Sequence, residues 1–186
     1  MTQSSPPKQG GLSAATCAER AQGPAPTLIR RLAAFIYEGV VLFGVVMTVG
    51  AIYSISTHQT HGLHGRNGMQ ATIFLALALY FLWFWTHGGQ TLAMRSWQLR
   101  LVSSNGQPVS LKQALIRFMW SWIWFIPSLA TAWLAGWHQS KLLYGPLIGW
   151  AIVYALLSML HPKKQFWHDE FSGTRLIDNR NDVQPS

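Results

Sequence analysis

Leu28 to Ser54 reads LIRRLAAFIYEGVVLFGVVMTVGAIYS, an apolar run with one carboxylic acid inside it. A helix that crosses a bilayer needs roughly 20 mostly apolar residues, and residues 32–54 supply them. Arg30 and Arg31 stand at the front edge, where long cationic side chains reach back to headgroups and mark a cytoplasmic end. Glu38 has no such escape. At about 1.5 Å of rise per residue it lies on the order of 10 Å past Arg31, inside the hydrocarbon. The other acids sit at 19, 169, 170, 178 and 182, so none accompanies Glu38 between this first crossing and the C-terminal segment. An ionisable group at that depth is costly and marks a functional site by default. Three readings follow from it. Glu38 is a structural carboxylate, favoured by the helix dipole and paired to a basic residue on the cytoplasmic side, or a ligand for a proton or cation, or an incidental polar residue.

The rest of the composition agrees with a membrane setting. Only 11% of the 186 residues are charged, 49% are hydrophobic and ten are Trp, whereas typical globular chains carry roughly 25% charged residues. The formal net charge of +8 does not indicate nucleic acid, because the basic residues lie at the ends of apolar runs and form no basic patch. The single Cys17 excludes an intrachain disulfide and any CxxC metal or redox motif. Residues 1–26 are rich in Pro, Ser, Gly, Ala and Gln with no apolar core, and read as a disordered cytoplasmic tail.

Outward from the first span, residues 58–67 form a polar loop and Met69 to Thr86 a second span, with Trp83 and Trp85 as interfacial anchors. Gly88 and Gly89 stop that helix. The connection to Ser110 reads as a short surface helix followed by a hairpin turning at Asn105-Gly106. Ser110 and Gln113 have the spacing of a capping box, which starts the next helix. Residues 118–137 form the third span, with a kink expected at Pro127, and residues 142–160 the fourth. Gly145 and Gly149 in the fourth have the small-residue spacing that lets helices approach closely. A polar tail, 179–186, follows. Twelve of the fourteen basic residues then fall on one side, against Arg66 and Lys141 on the other. The positive-inside rule makes that first side cytoplasmic. The expected fold is thus an all-α membrane protein of four spans with both termini inside.

Three stretches face that same compartment: Arg31 with Glu38 seven residues on, G89-QTLAMRSWQLRLV with GQPVSLKQALIR, and W167-HDEFSGTRLI. Together, over about Leu28 to Asp178, they resemble the RDD family of small multi-spanning membrane proteins. The resemblance matches Arg31 to the family's motif arginine and Asp169 to its final aspartate. Glu38 takes the place of the first aspartate, keeping the charge on a longer arm. Ala93 and Met94 stand where the family often has Gly-Lys. The resemblance implies a domain over 27–178 in a cell membrane, the bacterial inner membrane by analogy, and either transport, including sodium–proton antiport, or assembly with a membrane partner.

The functional expectation is proton-coupled transport of a small solute or cation, with Arg31, Glu38 and Asp169 as the candidate site. Arg95, Arg100 and Arg175 are candidate charge partners of Glu38, since Arg31 should point away toward headgroups. The alternative is a non-transporting scaffold that holds a partner complex or a second copy of the chain. Neither reading calls for a cofactor. His58, His61 and His64 recur every third residue, a spacing that imidazole ligands of zinc or copper use, but a glycine-containing loop with no carboxylate is a poor site. No Ser-His-Asp pattern, phosphate loop or HExxH helix suggests an enzyme, and the adjacent His168-Asp169 pair makes a weak acid–base candidate.

Overall fold

The computed structural model describes residues 8–9, 12–57, 66–122, 126–134 and 167–180, with Gly145, Gly149 and Val153 as isolated helical positions. The first apolar run forms one helix, α2 (Leu28–Ser56), and the second forms α3 (Arg66–Thr86). Stretches of 29 and 20 residues here have mean hydropathies of 2.1 and 1.5, yet only 6% of each apolar window is covered by protein. Val40, Phe43, Ile52, Leu75 and Leu79 all point outward with more than half their surface bare. A soluble core helix buries such a face, and one that exposes it needs lipid. Phe84 O accepts from Gly89 N at 3.1 Å, ending α3 where the Gly pair was expected to. Gly89 has φ +70°, and a Cβ there would collide with the Leu101 carbonyl, so glycine is required.

Beyond α3 lies a small domain at the end of the helices. Thr91 caps α4 (Leu92–Ser96), β3 (Leu99–Ser103) follows, and α5 (Leu111–Ser121) starts with the expected capping box between Ser110 and Gln113. The turn at Asn105-Gly106 forms, with Gly106 at φ +79° and its N–H on Ser103 O at 2.8 Å. The expected hairpin does not. Pro108 lacks the N–H a returning strand needs, and β3 pairs antiparallel with β4 (Thr174–Asp178), Leu101 opposite Leu176. The all-α expectation is corrected to that extent.

Within 1–26, read as a disordered tail, residues 12–22 are ordered. β1 (Lys8–Gln9) pairs with β2 (Leu12–Ser13), and α1 (Ala14–Gln22) follows, capped by Ser13 accepting from Thr16 N at 3.1 Å. Leu12, Cys17 and Ala21 pack on Val102 and Ile177. The other face of the same two strands, Leu101 and Leu176, packs with Trp85, Val109, Ala114 and Phe118 at the end of the spans. A two-stranded sheet therefore lies between α1 and the helix ends. Arg175 donates to the carbonyls of Ala21 and Gly23, and Arg20 to those of Asp178 and Arg180, at the end of α1 where cations suit the helix dipole.

Of the expected third span, α5 reaches Ser121 and α6 (Ile126–Leu134) holds Pro127 within it; residues 123–125, just before the expected kink, lie outside the described residues. The helix α7 (Trp167–Phe171) leads into β4. The fourth span at 142–160, the loop histidines His58, His61 and His64, and the tail beyond 180 lie outside the described residues, apart from the isolated positions named.

Candidate functional site

Glu38 sits on α2 ten residues from the start of that helix, on the side that meets α3 and α4. Tyr80 of α3 donates its hydroxyl to Glu38 Oε1 at 2.7 Å, and the Thr91 hydroxyl donates to Oε2. The same Thr91 oxygen accepts from Met94 N at 3.2 Å, so one threonine both caps α4 and binds the carboxylate of α2. Its position is set locally: Gly88 and Gly89 end α3, the chain reverses, and Thr91 begins the next helix. A carboxylate in apolar surroundings must be hydrogen-bonded, and here hydroxyls from two other elements do that. The cationic partner expected from Arg95, Arg100 or Arg175 is not what holds Glu38. Arg95 is exposed on α4, Arg100 is buried in β3, and Arg175 grips the end of α1.

Arg31 was expected to reach toward headgroups. It turns inward instead, 4% exposed, and lines with Glu38 a cavity of about 590 Å³ walled by α2, α3 and α5 and floored by Thr91, Leu99 and Leu176. The headgroup-side role falls to no residue of this pair, since Arg30 binds Asp178 at 2.5 Å and the Trp97 carbonyl at 2.5 Å. That contact ties the start of α2 to the end of β4. Burial works against ionisation of Asp178, but hydrogen bonds from Arg180 and Arg30 outweigh it and hold its carboxyl down at about 2.

Asp169 is fully buried and pairs with Arg117 of α5, whose guanidinium also lines the cavity and lies 4.9 Å from the Trp85 ring centre. The Ser172 and Thr174 hydroxyls, 2.7 Å apart, both reach the Asp169 carbonyl and fix the turn between α7 and β4. The three residues singled out in the sequence are thus all at one end of the spans. Arg31 and Glu38 share the cavity, while Asp169 stands behind it through Arg117.

Tyr80, Thr91 and Arg117 were missed as site residues. Tyr80 reads as one aromatic among many in an apolar span, and Thr91 as loop. A signal for Thr91 did exist, because a Thr two residues after a Gly-Gly helix stop and directly before LAM is an N-cap pattern. On the far side of the sheet, burial pushes the Cys17 thiol up, partly offset by Arg100 and Arg20, and burial lowers Arg100. Among the described residues no group of three metal-binding side chains converges.

No curated protein and no solved structure matches the chain. A family model does, that of the RDD family, over residues 25–173. That span takes in α2 with Arg31 and Glu38, the Thr91 turn, Arg117 and Asp169, so the shared pattern and the buried polar cluster coincide. With most of its length matched and two exposed apolar helices of spanning length, the chain is a membrane protein and belongs to the RDD family.

Proposed function

We propose that the protein is a four-span cell-membrane transporter in which Glu38 carries a proton coupled to movement of a small solute. The observation that carries this reading is the way Glu38 is held. Its carboxylate faces a cavity and is bound by two neutral hydroxyls, Tyr80 and Thr91, with no ion pair to it among the described residues. A carboxylate locked to a guanidinium cannot release its charge without stranding its partner. One held by hydroxyls can, because each hydroxyl is also an acceptor.

The four-span topology with both termini cytoplasmic is supported by where the segments meet. α1, the 89–110 connection and β4 pack on one another at the end where α2 starts and α3 stops. A chain that leaves this end with α5 and returns to it with α7 crosses an even number of times between them. Basic residues Arg20, Arg30, Arg95, Arg100 and Arg175 cluster at the same end, which the positive-inside rule assigns to the cytoplasm.

The experiment is pH-dependent flux in proteoliposomes with two substitutions. Glu38→Gln keeps the shape and some hydrogen bonding but cannot titrate, and it is expected to abolish the pH dependence of flux. Glu38→Asp, which keeps a carboxyl and restores the residue the family motif carries, is expected to retain it. A folded Glu38→Gln protein with the full pH dependence of the parent rejects the proton-carrying role.

A further inference from the structure

We infer that the face formed by the start of α2, the end of α4 and the end of β4 is a headgroup site for an anionic phospholipid of the surrounding bilayer. This site is separate from the cavity beside Glu38 and does not depend on the transport reading.

Backbone turns bring its parts together. Gln98 reverses the chain between α4 and β3 with φ +52°. The carbonyls of Trp97 and Gln98 then both accept from the Arg30 guanidinium, at 2.5 and 3.3 Å. Asn179 N donates to the same Gln98 carbonyl at 2.8 Å, which draws the end of β4 to the start of α2. There two guanidiniums share one carboxylate, Arg30 at 2.5 Å and Arg180 at 2.6 Å from Asp178. Arg20 of α1 donates to the carbonyls of Asp178 and Arg180 at 2.6 and 2.8 Å. Arg95, in the last turn of α4, is exposed. Among the described residues Asp178 is the one acid that any of these four guanidiniums binds.

The face is therefore rich in positive charge. Even with exposed Glu19 counted, and Asp182 two residues beyond Arg180 in sequence, the cations of Arg20, Arg30, Arg95, Arg175 and Arg180 remain in excess. Basic side chains at a bilayer surface attract anionic headgroups, each by about fivefold in affinity. What selects a lipid over an acidic protein is the apolar edge beside the cations. Ile29, next to Arg30, is 79% exposed, and Leu92 and Trp97 at the two ends of α4 are 49% and 38% exposed. α4 packs on α2, whose apolar run begins within one turn of Ile29. Apolar side chains and a Trp at that level suit the boundary between headgroups and acyl chains. The exposed Arg95 and Arg180 are long enough to reach phosphates from there. A phospholipid with a net negative head satisfies both halves of the face at once.

Native mass spectrometry of the full chain released from neutral detergent tests this, with dioleoyl phosphatidylglycerol as the anionic probe and dioleoyl phosphatidylcholine as the zwitterionic one. Phosphatidylglycerol is expected to be retained in preference, and less so as the salt of the titration rises from about 0.05 to about 0.5 M. Arg95→Gln with Arg180→Gln is expected to weaken its binding about thirtyfold, while phosphatidylcholine binding and the melt in detergent stay close to those of the parent. Arg95→Lys with Arg180→Lys is expected to keep the preference. So is Arg66→Gln, which removes one charge at the opposite end of the spans. Excess inorganic phosphate, lacking acyl chains, is expected not to displace the lipid. Equal retention of the two lipids, an unchanged preference in the double Gln variant, or displacement by inorganic phosphate overturns the inference. An equal loss in Arg66→Gln also overturns it, by showing a response to total charge alone. A dimer that the double Gln variant breaks, with no lipid preference, assigns the face to a second copy of the chain and overturns it as well.

Discussion

Removing the charge of Asp169 takes away the carboxylate paired with the buried Arg117 guanidinium, beside Trp85 and Phe118. Breaking a buried pair from one side costs about 3–5 kcal/mol. Asp169→Asn is therefore expected to lower the melting temperature and yield of the detergent-solubilised protein sharply. Replacing both partners with apolar residues, Arg117→Met with Asp169→Leu, is expected to recover much of that loss. Asp178 gives a separate, pH-dependent term. Its folded value is held at about 2, below the ordinary aspartate range. A depressed carboxyl stabilises the fold above its unfolded pKa, and that contribution disappears as pH falls from about 4 through 2. Asp178→Asn should thus cost about 1 kcal/mol at neutral pH, a figure already discounted for solvent screening, and only a small part of that near pH 2; melts at the two pH values decide it. Glu38 was legible in the sequence because acids are so scarce there. Its partners were not, since a hydroxyl at position 91 comes within reach of residue 38 only once the Gly88-Gly89 turn has folded back.

The element least visible in the sequence is α1. Its composition is that of a disordered tail, and its apolar residues Leu12, Cys17 and Ala21 are too few and too small to announce a buried face. They bury only because a sheet assembled from positions 99–103 and 174–178 offers a matching surface. The boundary signals were present, namely Ser13 at the N-cap and Gly23-Pro24 at the stop. Ser13→Ala is expected to destabilise α1 by about 1 kcal/mol. The lone thiol reports on that docking directly, being fully covered at 0% exposure. Maleimide labelling of Cys17 should be slow in the parent and markedly faster in Ser13→Ala, and equal rates would show that α1 does not depend on its cap. The spans α2 and α3 and the start of α5 were legible for the opposite reason, since long apolar runs and a capping box carry their own information locally. The partner of β3 was misread because the Asn105-Gly106 turn is a local signal, and pairing with β4 is not.

On the scale of the whole molecule, three segments far apart in sequence close one end of the membrane domain, which requires them to share a compartment. In a Cys17→Ala background, single cysteines at Asn105 and at Asp182 should react with a membrane-impermeant reagent from the same side. Reaction from opposite sides would overturn the four-span arrangement. The meeting of β3 with β4 also sets an order of events during synthesis. Ser103 and Gly173 touch across 70 residues of intervening chain, and at about 5–20 residues per second the ribosome needs roughly 4–14 s to make them. For that interval β3 has no strand beside it, and Leu101, Val102 and the seat for α1 are open to whatever chaperone attends the emerging chain. A nascent chain stalled before Thr174 should still carry a reactive Cys17, so the thiol serves as a clock for the moment this end of the spans shuts.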